Sequence, residues 1–163
     1  MDNYIVINGK KAELTEEQLE KLGIKGKAKN PFERVEWGNL YYYIDTLSET
    51  CVLRDDRDNN FDDLMFKISN YFNDKNFTNQ VALHERLNRK LLKFAYDHKA
   101  VVDWEDGCPK YCIVYDEKVK DFSINSKVWC KSFDVCFASH FVASKAFNEV
   151  VKPFMKEHPD FVW

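Results

Sequence analysis

The strongest constraint in the sequence is one long stripe. Val81, Leu83, Leu87, Leu91, Leu92 and Phe94 recur at helical spacing and carry the pattern to about His98. A helix with one apolar face must bury it, and the flanking segments show against what. Upstream, "FERVEWGNLYYYIDTLSETCVLRDD" reads as short strands joined by turns, one at Trp37-Gly38-Asn39 and another near Leu47-Ser48-Glu49. Downstream, Cys112 and Val114 alternate with Ile113 and Tyr115, and Phe122, Ile124 and Val128, Cys130 alternate with polar residues. These segments predict a three- or four-strand antiparallel meander with one buried face. The runs lack regular strand–helix alternation. The expected fold is α+β: an antiparallel β-sheet packed against two or three helices, with a small N-terminal hairpin–helix appendage.

A shorter helix is expected before the long one, from Leu64, Ile68 and Phe72, with Met65 and Tyr71 beside them and a break at Asn73-Asp74. A last helix follows Ser139 as cap and carries Val142, Ala146, Val150 and Phe154; Pro153 should kink or shorten it. At the other end, Tyr4 to Ile7 and Ala12 to Leu14 flank an Asn8-Gly9 hairpin turn. Thr15 then caps a short helix, and Gln18 completes a capping box. Residues 1–23 are therefore an appendage, a docking element or an oligomer contact. Residues 24–31, with one glycine, three lysines and a proline, read as a linker, and 32–163 as the main domain. Within it, Phe72-x-Asp74 and Phe137-x-Ser139 each lead from strands into a helix, which suggests a degenerate repeat of 32–98 in 101–158.

The stretch "RDDRDNNFDDL", Arg54 to Leu64, looks most like chemistry: five aspartates and two asparagines in eleven residues. Read as a calcium loop from Asp56, the first ligands fit, but Phe61 stands where the turn needs glycine. Lys67 stands where the bidentate glutamate belongs. Aspartates on one loop cannot by themselves surround two metals. Cys108-x3-Cys112 and Cys130-x5-Cys136 lack the short zinc-knuckle spacing. The five cysteines, an odd number, are expected to be buried free thiols. P-loop, G-x-G-x-x-G, G-x-S-x-G and H-E-x-x-H motifs are all missing. No catalytic residue, metal ligand or cofactor site is assigned.

With a net charge of -3, a general nucleic-acid coat is disfavoured, and no direct sequence-specific nucleic-acid binding is expected. The N-terminus "MDNYIVING" lacks the apolar core of a leader, and no apolar run approaches a membrane span. A soluble, intracellular protein without membrane partners is expected.

The segments "YIVINGKKAELTEEQLEKLGIK", "NPFERVE" with "YYYID", "NYF" before a helix, and the closing "VKPFMKEHPDFVW" together resemble a recurrent group of small bacteriophage and prophage accessory proteins. The stretch Phe137 to Ala143 also resembles that group's F-x-[ST]-x-E-E-A cadence, with Phe141-Val142 in place of the glutamates and Asp74 as the cap of the first half. The resemblance implies an anti-defence protein in the host cytoplasm, acting by protein binding. A CRISPR nuclease is its expected target, blocked at its nucleic-acid channel by an acidic surface. The partner-facing residues would be Asp55, Asp56, Asp58, Asp62 and Asp63, with Trp37, Tyr41 and Tyr43. Two other readings stay open. One is a sponge for a nucleotide signal, using Arg34, Arg54, Arg86 and Arg89 with the tyrosines; the other is a small phage enzyme.

Overall fold

A computed structural model describes residues 4–7, 10–15, 18, 30–116, 118, 121–129, 131 and 134–162. Strands β1 (Tyr4–Ile7) and β2 (Lys10–Glu13) pair antiparallel. Thr15 N–H donates to Gln18 Oε1 at 2.9 Å, and Gln18 N–H to Thr15 Oγ1 at 3.4 Å, so the capping box is formed. The Asn8-Gly9 turn, the rest of that helix and the 24–29 segment lie outside the described residues.

The main body starts with a hairpin of β3 (Leu40–Asp45) and β4 (Thr50–Asp55). Helices α1 (Asn60–Lys67) and α2 (Lys75–Asp97) follow. A second hairpin pairs β5 (Lys110–Asp116) with β6 (Asp121–Lys127), and the short β7 (Cys136–Phe137) adds to the free side of β5, giving the order β6-β5-β7. The chain ends in α3 (His140–Ala146), a π-helical turn (Phe147–Val151) and α4 (Lys152–Glu157). Both sheets of the main body are antiparallel and both pack on helices, which is the expected α+β arrangement.

The amphipathic stripe of α2 serves both halves. Its N-terminal part, Phe77, Val81 and Ala82, meets Tyr42 and Ile44 of β3 and Phe72. Its C-terminal part, Leu87, Leu91 and Phe94, meets Ile113, Phe137, Ala143, Val151 and Phe154. Each hairpin also receives further backbone pairing on the free side of its first strand, a single bridge in the first and the two-residue β7 in the second. Phe72 pairs with Tyr42, and Phe137 pairs with Tyr111. Two residues after each phenylalanine comes a helix cap, Asp74 or Ser139, and four further on a fully buried small residue, Thr78 or Ala143.

Four expectations need correction. The short helix stops at Lys67, so Tyr71 and Phe72 are extended rather than helical; Ser69 takes φ 59° and Asn70 turns the chain out. Pro153 does not shorten the last helix, which runs on to Glu157. It lacks an N–H, and the preceding turn widens to the π form before the α pattern resumes. Val128 bends away after β6, and Cys130 lies outside the described residues. Finally, Cys112 and Cys136 are not free thiols: they sit opposite each other on β5 and β7, Cα atoms 4.4 Å apart, and form a disulfide. Cys51 and Cys108 are free.

Candidate functional site

The aspartate stretch turns out to have an inside and an outside. The turn before β3 starts it. Gly38 takes φ 83° at the third position of the Glu36–Asn39 turn, which favours glycine, and its N–H donates to the Asp56 carbonyl at 2.8 Å. The Asp56 N–H returns to the Asn39 carbonyl at 2.9 Å, so the chain leaving β4 is tied to the chain entering β3. Asn59 then caps α1, accepting from the N–H groups of Phe61 and Asp62.

Two carboxylates point inward. Asp56 is 1% exposed. Its Oδ2 accepts from Arg34 Nε at 2.9 Å and from the Tyr71 hydroxyl at 2.7 Å. Its Oδ1 accepts from Arg34 Nη2 at 3.2 Å and the Asp58 N–H at 2.8 Å. Asp62, also buried, repeats the scheme. Oδ1 accepts from the Tyr41 hydroxyl at 2.8 Å and Arg54 Nε at 3.1 Å; Oδ2 accepts from the N–H groups of Arg57 at 2.9 Å and Asn59 at 3.4 Å. The two tyrosine rings stack, centroids 4.0 Å apart and planes 10° from parallel. Each buried charge thus receives one arginine, one tyrosine and backbone donors, which is what a carboxylate requires out of water.

The electrostatics follow the contacts. The bonded Arg34 guanidinium, joined by Tyr71 and the Asp58 N–H, outweighs burial and brings Asp56 down to about 2. Burial pushes Asp62 up, but the Arg57 N–H, the Tyr41 hydroxyl, the Asn59 N–H and Arg54 together outweigh it, and the net shift is downward. Burial first, and then the carboxylate each one bonds, push the Tyr41 and Tyr71 phenols well above the usual range.

The outer layer is Asp55, Asp58 and Asp63. Asp58 is 72% exposed on its side chain and sits 3.0 Å from Arg34 Nη2. Asp63 lies 2.7 Å from Arg34 Nη1, and Asp55 lies 2.6 Å from Arg57 Nε. Beside them, Trp37 is 77% exposed. Tyr43 is half-buried and meets Phe61 edge-on at 5.4 Å. Of the expected partner-facing residues, Asp55, Asp58, Asp63 and Trp37 are therefore at the surface. Asp56, Asp62 and Tyr41 are buried and face inward, because their charges and hydroxyls satisfy one another.

The four arginines do not converge. Arg34 and Arg54 belong to the aspartate network, with Arg54 also stacked over Phe61 at 4.4 Å. Arg86 and Arg89 instead hold Glu49, at 2.8 and 3.1 Å. All four are paired with carboxylates.

Sequence reasoning missed a cleft of about 750 Å³ between the start of β4, the first turns of α2 and the 157–161 tail. Its walls come from three distant stretches. Gln80 helps close it, donating to the Asp160 carbonyl and accepting the Val162 N–H. Among the described residues no group of three or more His, Cys, Asp and Glu side chains is placed to hold a metal ion, and no helix is long and apolar enough to cross a membrane. No family model, no curated protein and no solved structure matches this chain.

Proposed function

We propose that this protein works by non-covalent binding to a basic protein surface, and that it is a phage-type inhibitor of a host defence nuclease, a CRISPR effector being the target. The observation that supports binding is the two-layer loop. Its inner carboxylates fix the backbone, so Asp55, Asp58, Asp63 and Trp37 are presented on a rigid frame and lose little freedom on docking. Five carboxylates against Arg34, Arg54 and Arg57 leave two negative charges on the loop. An exposed tryptophan beside exposed carboxylates suits the arginine- and lysine-lined channel of a nucleic-acid enzyme. The anti-defence setting rests on the sequence resemblance alone.

The test is DNA cleavage by purified CRISPR nucleases with increasing amounts of the chain. Inhibition should be saturable, weaken as salt rises, and disappear in an Asp55→Asn/Asp58→Asn variant that still folds. Screening acts over about 10 Å at 0.1 M ionic strength, so exposed pairs should respond strongly. Cleavage unaffected across a panel of effectors would refute the target. Inhibition that the variant retains would refute the loop as the interface. A nucleotide released from the purified protein on denaturation would favour the sponge instead.

A further inference from the structure

Helix α2 carries a second apolar strip, on the side away from its core face. Leu87, Leu91 and Phe94 enter the core. Leu92 and Tyr96, one turn apart on the outer side, are 49% and 64% exposed. The strip widens sideways into a groove of about 330 Å³, whose walls Leu92, Val101 and Trp104 help to form.

The two ends of the strip carry opposite charges. Glu85, Leu92 and Lys99 follow one another at seven-residue spacing, which sets them along one line of the helix. Glu85 is held only by Arg89, at 3.6 Å with both side chains half exposed, and Arg89 already serves Glu49 at 3.1 Å. Lys99 lies just past the helix end. Its N–H donates to the Tyr96 carbonyl at 3.1 Å, the Ala100 N–H closes on the Ala95 carbonyl at 2.9 Å, and Lys99 takes φ 51°. Glycine fills such a position without steric cost. A lysine stands there instead, and no ion pair reaches its ammonium among the described residues.

We infer that this strip is the contact between two copies of this chain, the α2 helices lying antiparallel across a two-fold axis at Leu92. Such a contact must be its own complement. Acid, leucine, base reads the same on both copies once one helix is turned end for end. Glu85 of each copy then meets Lys99 of the other, and Leu92 packs on Leu92. Tyr96 comes beside Arg89 of the second copy, ring against guanidinium. A parallel pair would instead set Glu85 on Glu85 and Lys99 on Lys99. The antiparallel two-fold keeps both grooves on one side of the helix pair, where Val101 and Trp104 of the two copies add apolar area. Any other partner would have to present this same pattern of charge and apolar surface, which the chain already carries. The strip shares no residue with the acidic loop, so the two surfaces can be tested apart.

The experiment is sedimentation equilibrium of the full chain over a concentration series. The parent should show a monomer–dimer equilibrium. Leu92→Glu sets two carboxylates against each other at the axis and should leave only monomer. Its circular dichroism should match the parent's, because the side chain replaced is on the outer side. Glu85→Lys and Lys99→Glu each turn two attractive pairs into two repulsive ones, and each should weaken the dimer about tenfold or more. The double variant restores attraction with the signs exchanged and should dimerise about as the parent does. A parent that stays monomeric at its highest soluble concentration would overturn the proposal. So would a dimer that Leu92→Glu leaves intact, or a double variant no better than the single ones. A monomeric parent that loses nuclease inhibition on Leu92→Glu would assign the strip to that partner instead of a second copy.

Discussion

Replacing Arg34 by methionine tests whether the buried aspartate network holds the first half of the molecule. Arg34 makes a two-point contact with Asp56 at 2.9 and 3.2 Å. Without it, a nearly inaccessible carboxylate keeps only the Tyr71 hydroxyl and one backbone N–H. Removing one partner of a buried pair costs about 3–5 kcal/mol. The Arg34 side chain is 28% exposed, so water can replace part of what it gives. That discount brings the expectation to about 2–3 kcal/mol at neutral pH. The contacts of Arg34 with Asp58 and Asp63 add little, because those side chains are mostly in water.

An independent route gives a similar figure. Asp56 titrates at about 2 in the folded chain against 3.8 for a free side chain. A folded value below the unfolded one means stability that is present above about 3.8 and lost as pH falls through about 2, worth about 2 kcal/mol. In Arg34→Met the main downward influence is gone and burial raises Asp56. The deficit should therefore be greatest at neutral pH and shrink below about pH 4, as Asp56 protonates in the variant first and then in the parent. Urea unfolding followed by circular dichroism reads this directly. With a slope of about 2 kcal/mol per molar urea, the midpoint should fall by about 1 M at pH 7 and by much less at pH 2.5. In an Asp56→Asn background, Arg34→Met should cost less than about 1 kcal/mol, since no buried charge is stranded. Equal costs in the two backgrounds, or a deficit that ignores pH, would refute the reasoning.

Two further changes probe other parts of the frame. Asn70→Ala strands the N–H and C=O of buried Ile44, which the amide bonds at 2.8 and 2.9 Å, and should cost about 2 kcal/mol in urea unfolding; a loss near zero would show that water takes over both bonds. The Cys112–Cys136 disulfide spans 24 residues, so Cys112→Ala/Cys136→Ala should lose about 3 kcal/mol by chain-entropy reasoning. Parent protein in strong reductant should approach the variant's melting temperature, and identical melting of parent and variant in oxidising buffer would refute the bond.

Much of this fold was legible because local signals and tertiary needs agreed. The Trp37-Gly38-Asn39 turn formed because glycine sits where φ turns positive. The helix spacing from Val81 to Phe94 held because one stripe is buried at both ends. Legibility failed where a pattern outlived its cause. Leu64, Ile68 and Phe72 keep helical spacing, yet the helix ends at Lys67. Phe72 is placed by a strand thirty residues upstream, and Leu64 and Ile68 are left substantially exposed. The disulfide was hidden by an odd cysteine count, which says nothing about two residues meeting across β5 and β7. The burial of Asp56 and Asp62 was hidden because their partners Arg34, Tyr41 and Tyr71 lie outside the acidic stretch.

That last failure changes what an aspartate-rich loop means. Counted along the sequence, five carboxylates form one acidic patch. Sorted by direction, they are two populations with different consequences. Asp56 and Asp62 each accept four hydrogen bonds, two of them from the Arg34 guanidinium at Asp56 and one from the Arg54 guanidinium at Asp62, so their negative charge is largely neutralised before it reaches solvent. A change there acts on stability and reaches any binding surface only through the frame. Asp55, Asp58 and Asp63 hold exposed pairs worth little to folding, so a change there acts on charge at the surface. The same chemical edit, aspartate to asparagine, should therefore separate into two classes along one short loop. Stability falls at 56 and 62 with salt response unchanged; salt-dependent binding falls at 55 and 58 with stability unchanged.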